Sequence, residues 1–203
     1  MEYKVCKIDT LNEIDKGVRF DINHFNWNCV YKPKAYGYMA YLDGVGIIVR
    51  FITEEKNPKR TYVNPQDPVY KDSAVEVFLS FQQEQPNQES LYMNFEINAN
   101  GAMLANFGFG RQDRKVLGQE LYQQCHVKAS IMENAWSVDL IIPLALIQEL
   151  TGIEKLSSGD CFYCNFYKIA ESKEIEHYAS YSPIVSENPN FHLPEYFAKA
   201  IVK

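Results

Sequence analysis

The sequence lacks the features that mark several large classes of protein. Its 203 residues carry 20 Lys and Arg against 26 Asp and Glu, so the net charge is −6 and no basic stripe can neutralise phosphates. No apolar run is as long as a membrane span. Residues 1–15 alternate charged and apolar side chains, without the apolar centre of a secretory signal. We therefore expect no nucleic-acid partner, no membrane partner and a cytoplasmic location, or an extracellular one if a leader has been trimmed away.

A regular cysteine pattern is also missing. The five cysteines are an odd number at irregular spacing, which makes a poor disulfide framework. Cys161-Phe-Tyr-Cys164 has the spacing of a redox or zinc motif, but it lies in an apolar and aromatic run typical of a strand. Side chains three apart on a strand point to opposite faces, and no second Cys-x-x-Cys completes a zinc site. The sequence therefore predicts free thiols that act as small hydrophobic side chains.

Helical periodicity is scarce, and short β-rich runs take its place. The best helix candidate is Pro143 to Leu150, with Pro in the first turn and Gly152 as a stop signal. Asp43-Gly44 is a strong hairpin signal, and turn residues separate the other runs. At 203 residues and 46% hydrophobic content, the chain suits one large domain with a substantial core. The predicted strands are 36–43, 46–53, 73–81, 91–98, 102–107, 122–132, 136–142, 161–169 and 196–202.

These short strands at regular spacing are typical of an antiparallel β-sandwich. We predict an all-β, jelly-roll-like sandwich with one short helix, formed as a single domain over residues 1–203. Alternation along 73–81 places Ala74, Glu76, Phe78 and Ser80 on one face of their strand.

Aromatic residues are plentiful, and they concentrate with polar groups in the last forty residues. Three prolines punctuate this region, so at least Ser182 to Pro194 should be a loop laid over the sandwich. Loops held by a rigid sheet often form binding surfaces. Rings flanked by hydrogen-bonding groups suit a ligand with an apolar face and a polar rim, and a sugar ring fits that description. The richest segments are Asn165-Phe-Tyr-Lys168, Tyr178-Ala-Ser-Tyr-Ser-Pro183 and Asn190-Phe-His-Leu-Pro-Glu-Tyr-Phe197.

Several motifs, taken in order, resemble the family 9-like carbohydrate-binding modules, which are relatives of the DOMON-type sandwiches. The resemblance spans about residues 15–203, and it depends on the ordered combination more than on any one motif. The matching residues are Asp72-Ser-Ala-Val-Glu-Val-Phe78, Tyr92-Met-Asn-Phe-Glu-Ile-Asn98 with Gly101, Trp136 before Ile142-Pro143, Gly159, Asn165-Phe-Tyr-Lys168, Tyr181-Ser-Pro183 and Asn190-Phe-His-Leu-Pro-Glu-Tyr-Phe197.

The resemblance implies a non-catalytic protein that binds a mono- or oligosaccharide. It places the sugar between two rings, Tyr70 and Tyr181, with polar contacts from Glu76 and from Asn98. Glu96 completes the set of candidate binding residues, and it stands where the family often has a basic residue. Both rings are Tyr where the family usually has Trp.

Two alternatives to sugar binding stay open at this point. Paired carboxylates can act as the acid and nucleophile of a glycoside hydrolase, and Glu76 with Glu96 would be that pair. The sandwich could instead have no ligand and serve as an interaction module.

No cofactor is predicted. The four histidines have no metal-binding spacing, and neither a phosphate-binding Gly loop nor a nucleophile elbow occurs. Structural calcium occurs in some family 9 modules and requires clustered oxygen ligands. Asp21, Asn23 and Asp72 are the candidates for such a cluster.

Overall fold

The computed structural model describes all 203 residues, and it shows how strand alternation builds two facing β-sheets. Along 74–80, Val75, Val77 and Leu79 point into the space between the sheets, whereas Ala74 and Phe78 point to the opposite face. The strands are β1 Glu2–Ile8, β2 Arg19–Ile22, β3 His24–Phe25, β4 Lys34–Leu42, β5 Gly46–Glu54, β6 Ala74–Ser80, β7 Tyr92–Asn98, β8 Met103–Phe109, β9 Asp113–Val116, β10 Lys128–Ile131, β11 Trp136–Pro143, β12 Cys161–Ala170, β13 His177–Ser180 and β14 Ala198–Val202.

Two α-helices and three short 3-10 turns connect these strands. The helices are α1 Gln119–Gln124 and α2 Leu144–Thr151, and the 3-10 turns are Leu11–Lys16, Val69–Lys71 and Pro194–Tyr196. Neither α-helix has the length and apolar character needed to span a lipid bilayer.

We call the two layers the front sheet and the back sheet. The front sheet runs β14-β12-β6-β7-β8-β9. Strand β13 pairs with the second half of β12, on the same edge as β14, and β3 lies beside β13. The back sheet runs β10-β11-β5-β4, with β2 also paired to β4. Strand β1 joins the layers, because its first half pairs with β14 and its second half with β4.

The predicted β-sandwich is confirmed, but its strands are not all antiparallel. Both pairings of β1 are parallel, and every other pairing is antiparallel. Antiparallel pairs can form across tight turns, whereas parallel pairs join segments that are distant along the chain. Because the β1–β14 pairing brings the two ends of the chain together, no hairpin signal in the sequence could predict its direction.

The main core fills the space between the sheets. It contains 34 buried hydrophobic residues, whereas a second cluster of 10 lies on the outer face of the front sheet. At the centre of the main core, the rings of Phe20 and Phe166 stack with centroids 3.7 Å apart. The front sheet is therefore covered on both faces, and its outer face carries large aromatic side chains.

Most predicted elements are confirmed, and one is wrong. The hairpin at Asp43-Gly44 connects β4 to β5, and α2 ends at Gly152, whose φ of 77° is the left-handed conformation that glycine favours. The strand predicted over 122–132 begins only at Lys128, because Gln119–Gln124 forms α1 instead. Gln, Glu and Leu have high helix propensity, and this segment follows Gly118.

Candidate functional site

A cleft of about 310 Å³ opens on the outer face of the front sheet. Its floor comes from β6, β7 and β8. Its walls come from the 3-10 turn at Tyr70, from β9, β12 and β13, and from loops that include Arg111, Glu171 and residues 189–192. The floor residues on these strands alternate with core residues, so the same periodicity that builds the sandwich also aims polar side chains outward. The full lining is Tyr70, Glu76, Asn94, Glu96, Leu104, Asn106, Arg111, Arg114, Ile169, Glu171, Tyr178, Pro189, Asn190, Phe191 and His192.

Strand register sets the geometry of the floor. Glu76 on β6 lies directly opposite Glu96 on β7, and Glu96 lies opposite Leu104 on β8. Directly opposed residues on neighbouring antiparallel strands have Cβ atoms about 4.5–5.5 Å apart. The two carboxyl groups therefore form an adjacent pair in the middle of the cleft.

Aromatic rings form one side of the cleft. Tyr178 on β13 packs edge-on against Trp27, with centroids 5.6 Å apart, and its hydroxyl donates to the Glu176 carboxylate at 2.9 Å. Phe191 stacks on Tyr167, with centroids 4.2 Å apart. Tyr70 is held in a 3-10 turn and is more exposed than these rings. Neighbouring rings thus fix the orientation of this aromatic side.

The Glu76–Glu96 pair is buried and has few protein partners. Glu76 is 2% exposed and accepts no hydrogen bond from the protein. Glu96 is 6% exposed and accepts one hydrogen bond, from Asn94 Nδ2 at 3.0 Å. Burial, followed by repulsion from Glu96 and Glu171, holds the pKa of Glu76 well above its usual range. Burial also raises the pKa of Glu96 to about 7, with Glu171 adding to the shift.

Arg114 and His192 form the opposite, basic side of the cleft. The Arg114 guanidinium lies 3.9 Å from the centroid of the Tyr92 ring and donates to the Gly108 carbonyl at 2.9 Å and to Asn94 Oδ1. Its Nε atom has no protein partner, and neither does Oδ1 of Asn106.

His192 is held as a neutral acceptor. Tyr92 donates its hydroxyl hydrogen to the Gly110 carbonyl, so His192 Nδ1 must donate to the Tyr92 oxygen, 2.9 Å away. Burial, with repulsion from Arg114 and Arg111, lowers the pKa of His192 to about 3. Nε2 of His192 therefore carries a lone pair and no proton at neutral pH.

Three of the five predicted site residues line this cleft, namely Tyr70, Glu76 and Glu96. Asn98 shares the outer face of β7 with Glu96, but the loop between β5 and β6, which includes Tyr62, covers it. Its Nδ2 donates to the Tyr62 carbonyl at 2.8 Å and to Asp72 Oδ2 at 2.9 Å, and its Oδ1 accepts from the Ala102 amide at 3.1 Å. The predicted convergence is therefore wrong for Asn98, which fastens the loop to the sheet.

Tyr181 lies on the other side of the front sheet. Its ring packs edge-on against Phe166 and Tyr3, with centroids 5.6 and 5.9 Å apart, at the border of the main core. Alternation along β13 gives the reason: Tyr178 points outward, Ala179 points inward, and Tyr181 has the parity of Ala179. The prediction that Tyr70 and Tyr181 face one ligand is therefore wrong, and Tyr178 is the tyrosine of this segment that lines the cleft together with Tyr70.

Sequence reasoning missed most of the loop-borne side of the cleft. Tyr178 lies on β13, a strand of only four residues that the sequence did not predict. Asn94 could have been found from the alternation of β7, where it shares a face with Glu96. Arg114 gave no such signal, because it lies outside every predicted strand, in a polar segment that forms β9.

The proposed calcium ligands do not meet. Asp21 lies on β2 of the back sheet, where it pairs with Arg19, whereas Asp72 is buried beside the front sheet and accepts from Asn98 and the Tyr62 amide. No group of three or more His, Cys, Asp or Glu side chains is placed to hold a metal ion. The residues named for this ion therefore do not fit it.

Fold and site together define a ligand-binding β-sandwich, with a cleft that joins aromatic rings to buried polar groups. The family model for carbohydrate-binding family 9 matches residues 7–201 of the sequence. The chain belongs to carbohydrate-binding family 9. It is thus a binding module, which confirms the predicted family and argues against the glycoside hydrolase alternative.

Solved structures agree with this fold. A candidate carbohydrate-binding protein from Bacteroides uniformis ATCC 8492 is 23% identical, with a TM-score of 0.83 over 100% of this chain and 99% of that one. A family 9 module from Caldicellulosiruptor kristjanssonii, solved with cellotriose, is 11% identical, with a TM-score of 0.71 over 100% of this chain and 94% of that one. The same identity and TM-score hold for its structure with glucose, covering 100% and 96%. No curated protein sequence matches the chain closely enough to count as a relative.

Proposed function

We propose that this protein binds a mono- or oligosaccharide in the cleft on the front sheet. The observation that carries the proposal is the meeting of Tyr70, Tyr178 and Phe191 with the buried Glu76–Glu96 pair in one cleft. The Caldicellulosiruptor kristjanssonii module, which has the same fold, was solved with cellotriose and with glucose. At about 310 Å³, the cleft is at the lower end of the size range of small-molecule sites, which suits one or two sugar rings.

Sugar rings suit both sides of this cleft. The axial C–H bonds of a pyranose form a slightly positive, apolar patch that packs against the negative face of an aromatic ring. The hydroxyl groups at the rim of the sugar then need partners. Glu76, Asn106 Oδ1 and His192 Nε2 offer lone pairs without protein partners, and Arg114 Nε offers an unpaired donor.

This proposal changes two members of the predicted site. The rings that we propose to contact the sugar are Tyr70 and Tyr178, in place of Tyr70 and Tyr181. Asn94 and Asn106 take the place of Asn98, because they lie opposite each other on β7 and β8 within the cleft. Glu76 and Glu96 keep their proposed roles as polar contacts.

Replacing Tyr70 by Ala should weaken sugar binding at least about tenfold, because stacking on the more exposed ring is lost. Thermal unfolding should change little, since the ring is only partly buried. Calorimetric titration with the tightest sugar from a glycan array measures the loss.

Tyr36→Ala provides the matched control. Tyr36 is a partly buried tyrosine on β4 of the back sheet, and its ring lies under the Arg19 guanidinium. Its replacement should leave the affinity unchanged. Equal affinities for wild type, Tyr70→Ala and Tyr36→Ala would place the site elsewhere, and silence across a broad array would favour an interaction module without a sugar ligand.

A further inference from the structure

No cation of the protein forms an ion pair with the central carboxyl pair of the cleft, although the charges of Lys168 and Arg111 partly offset the effect of burial on the pKa of Glu76. None of the seven ion pairs in the molecule includes Glu76, Glu96 or Glu171. Buried carboxylates are normally paired or fully hydrogen-bonded, because removing their water is costly. Glu76 has no protein hydrogen bond at all, although it is 2% exposed. Its lone pairs therefore point to a ligand donor.

The two arginines near the cleft form no ion pair with these carboxyl groups, although their charges partly offset the effect of burial on the pKa of Glu96. Arg114 is directed at the Gly108 and Asn106 carbonyls and at Asn94 Oδ1, and Asn94 in turn separates it from Glu96. Arg111 is exposed at the rim and makes no ion pair. The floor thus keeps two opposed carboxyl groups, with a third, Glu171, at the edge.

We propose that the preferred ligand of this cleft is a sugar that carries a protonated amino group, held between Glu76 and Glu96. This inference rests on the proposed function and names its ligand class. An ammonium group has three N–H donors and no acceptor, so it can donate to both carboxylates at once. Its charge also offsets the repulsion that arises when both of these directly opposed carboxyl groups ionise, so binding of the ammonium favours ionisation of the pair.

Neutral sugars can satisfy only part of this arrangement. A hydroxyl group donates one hydrogen bond and brings no charge, so it does not favour ionisation of the pair. Hydrogen bonds between charged partners are about twice as strong as those between neutral ones. The aromatic side of the cleft should bind amino sugars and neutral sugars equally well, because stacking depends on the C–H face of the sugar and not on the substituent at C2.

Three trisaccharides with the same β-1,4 linkage separate these contributions. The glucosamine trimer carries an ammonium at C2, its N-acetylated form carries a neutral amide there, and cellotriose carries a hydroxyl. Calorimetric titration near neutral pH in low salt should show the glucosamine trimer binding at least about tenfold more tightly than either neutral trimer. High salt should reduce that preference, because it screens the ion pairs.

Glu76→Gln and Glu96→Gln test the origin of the preference. Each replaces one carboxyl group of the pair by a neutral amide of similar shape, so the ratio of amino-sugar to neutral-sugar affinity should fall well below that of the wild type. Glu133→Gln, in the exposed turn between β10 and β11, is the matched control and should retain the ratio.

The outcomes distinguish the inference from the proposed function. Neutral trimers that bind as tightly as the glucosamine trimer would overturn the amino-sugar inference and leave sugar binding intact. A preference that survives both cleft variants, or that Glu133→Gln also removes, would show general attraction to an acidic protein and would equally overturn it. Failure of all three trimers and of a broad glycan array to bind would overturn the proposed function as well.

Discussion

Replacing Lys168 by Met should destabilise the protein by about 3–5 kcal/mol, because it leaves a buried carboxylate without its cation. Lys168 is on β12 and is fully buried. Its Nζ atom lies 3.7 Å from Glu55 Oε2, and Glu55 is itself 4% exposed. Met has nearly the same length and volume as Lys, so the loss would come from charge and hydrogen bonding more than from packing. Chemical denaturation at neutral pH measures the change.

Other polar groups make Lys168 the centre of a buried network. Its Nζ donates to Ser73 Oγ at 2.6 Å and to His177 Nε2 at 2.8 Å. His177 can accept there because its Nδ1 donates to the Ile175 carbonyl, 2.5 Å away. Burial, together with the charge of Lys168, lowers the pKa of His177 to about 2, so the ring stays neutral. Glu55 also accepts from Trp136 Nε1 at 2.9 Å.

A double variant separates the buried charge from the rest of this network. Adding Glu55→Gln to Lys168→Met removes the unpaired carboxylate and should recover at least half of the lost stability. If Lys168→Met costs less than about 1 kcal/mol, or if the double variant is no more stable than the single one, the Lys168–Glu55 ion pair does not stabilise the protein.

Replacing Glu96 by Gln should have the opposite effect and stabilise the fold above neutral pH. The pKa of Glu96 is about 7 in the folded protein against an ordinary 4.5, so the folded state holds the proton more tightly than the unfolded chain. The protonated Glu96 side chain therefore makes its full favourable contribution to the free energy of unfolding below the ordinary pKa of 4.5, and this contribution is lost as the pH rises through 7. Because one pKa unit corresponds to about 1.4 kcal/mol, the ionised carboxyl costs up to about 3 kcal/mol.

The free energy of unfolding, measured over a range of pH for wild type and Glu96→Gln, tests the direction of this effect. Glu96→Gln should be more stable than wild type by up to about 3 kcal/mol at mildly alkaline pH, and nearly equal to it at acidic pH, where Glu96 is neutral in both states. The hydrogen bond from Asn94 Nδ2 to Oε1 can persist in the amide. A variant that is equally stable or less stable at alkaline pH would show that Glu96 is not strained in the folded protein.

This prediction connects stability with function. A protein can keep a costly group where ligand binding requires it, and such sites are common places for stabilising substitutions that impair activity. Glu76 and Glu96 form such a pair in the floor of the proposed sugar site. If Glu96→Gln gains stability and also loses the preference for amino sugars, the same buried carboxyl group accounts for both effects.

Period-two alternation explains why the floor of the cleft was largely predictable. The run 73–81 placed Glu76 on the face shared by Ala74 and Phe78, and the structure confirms that arrangement. Strand register then aligned it with Glu96, which alternation alone does not determine. The hairpin signal at Asp43-Gly44 was similarly local, since two residues define such a turn.

The aromatic side of the cleft depends on longer-range packing. Tyr178 and Tyr181 are three residues apart, and which of them faces the ligand depends on β13 pairing with β12 and β3. Strand β13 is only four residues long, so its sequence gives little pattern from which to assign a face. The position of Phe191 depends on its stacking against Tyr167, which no local rule predicts.

The most direct test of the account is to map a bound sugar by NMR chemical-shift perturbation. Addition of a sugar that binds should shift the amide signals of β6, β7 and β8 at the floor, of Tyr178, and of residues 189–192. The back sheet around Tyr36 should stay unchanged. Perturbations confined to the back sheet, or to the surface around Glu2 and Tyr181, would contradict the assignment of sugar binding to this cleft.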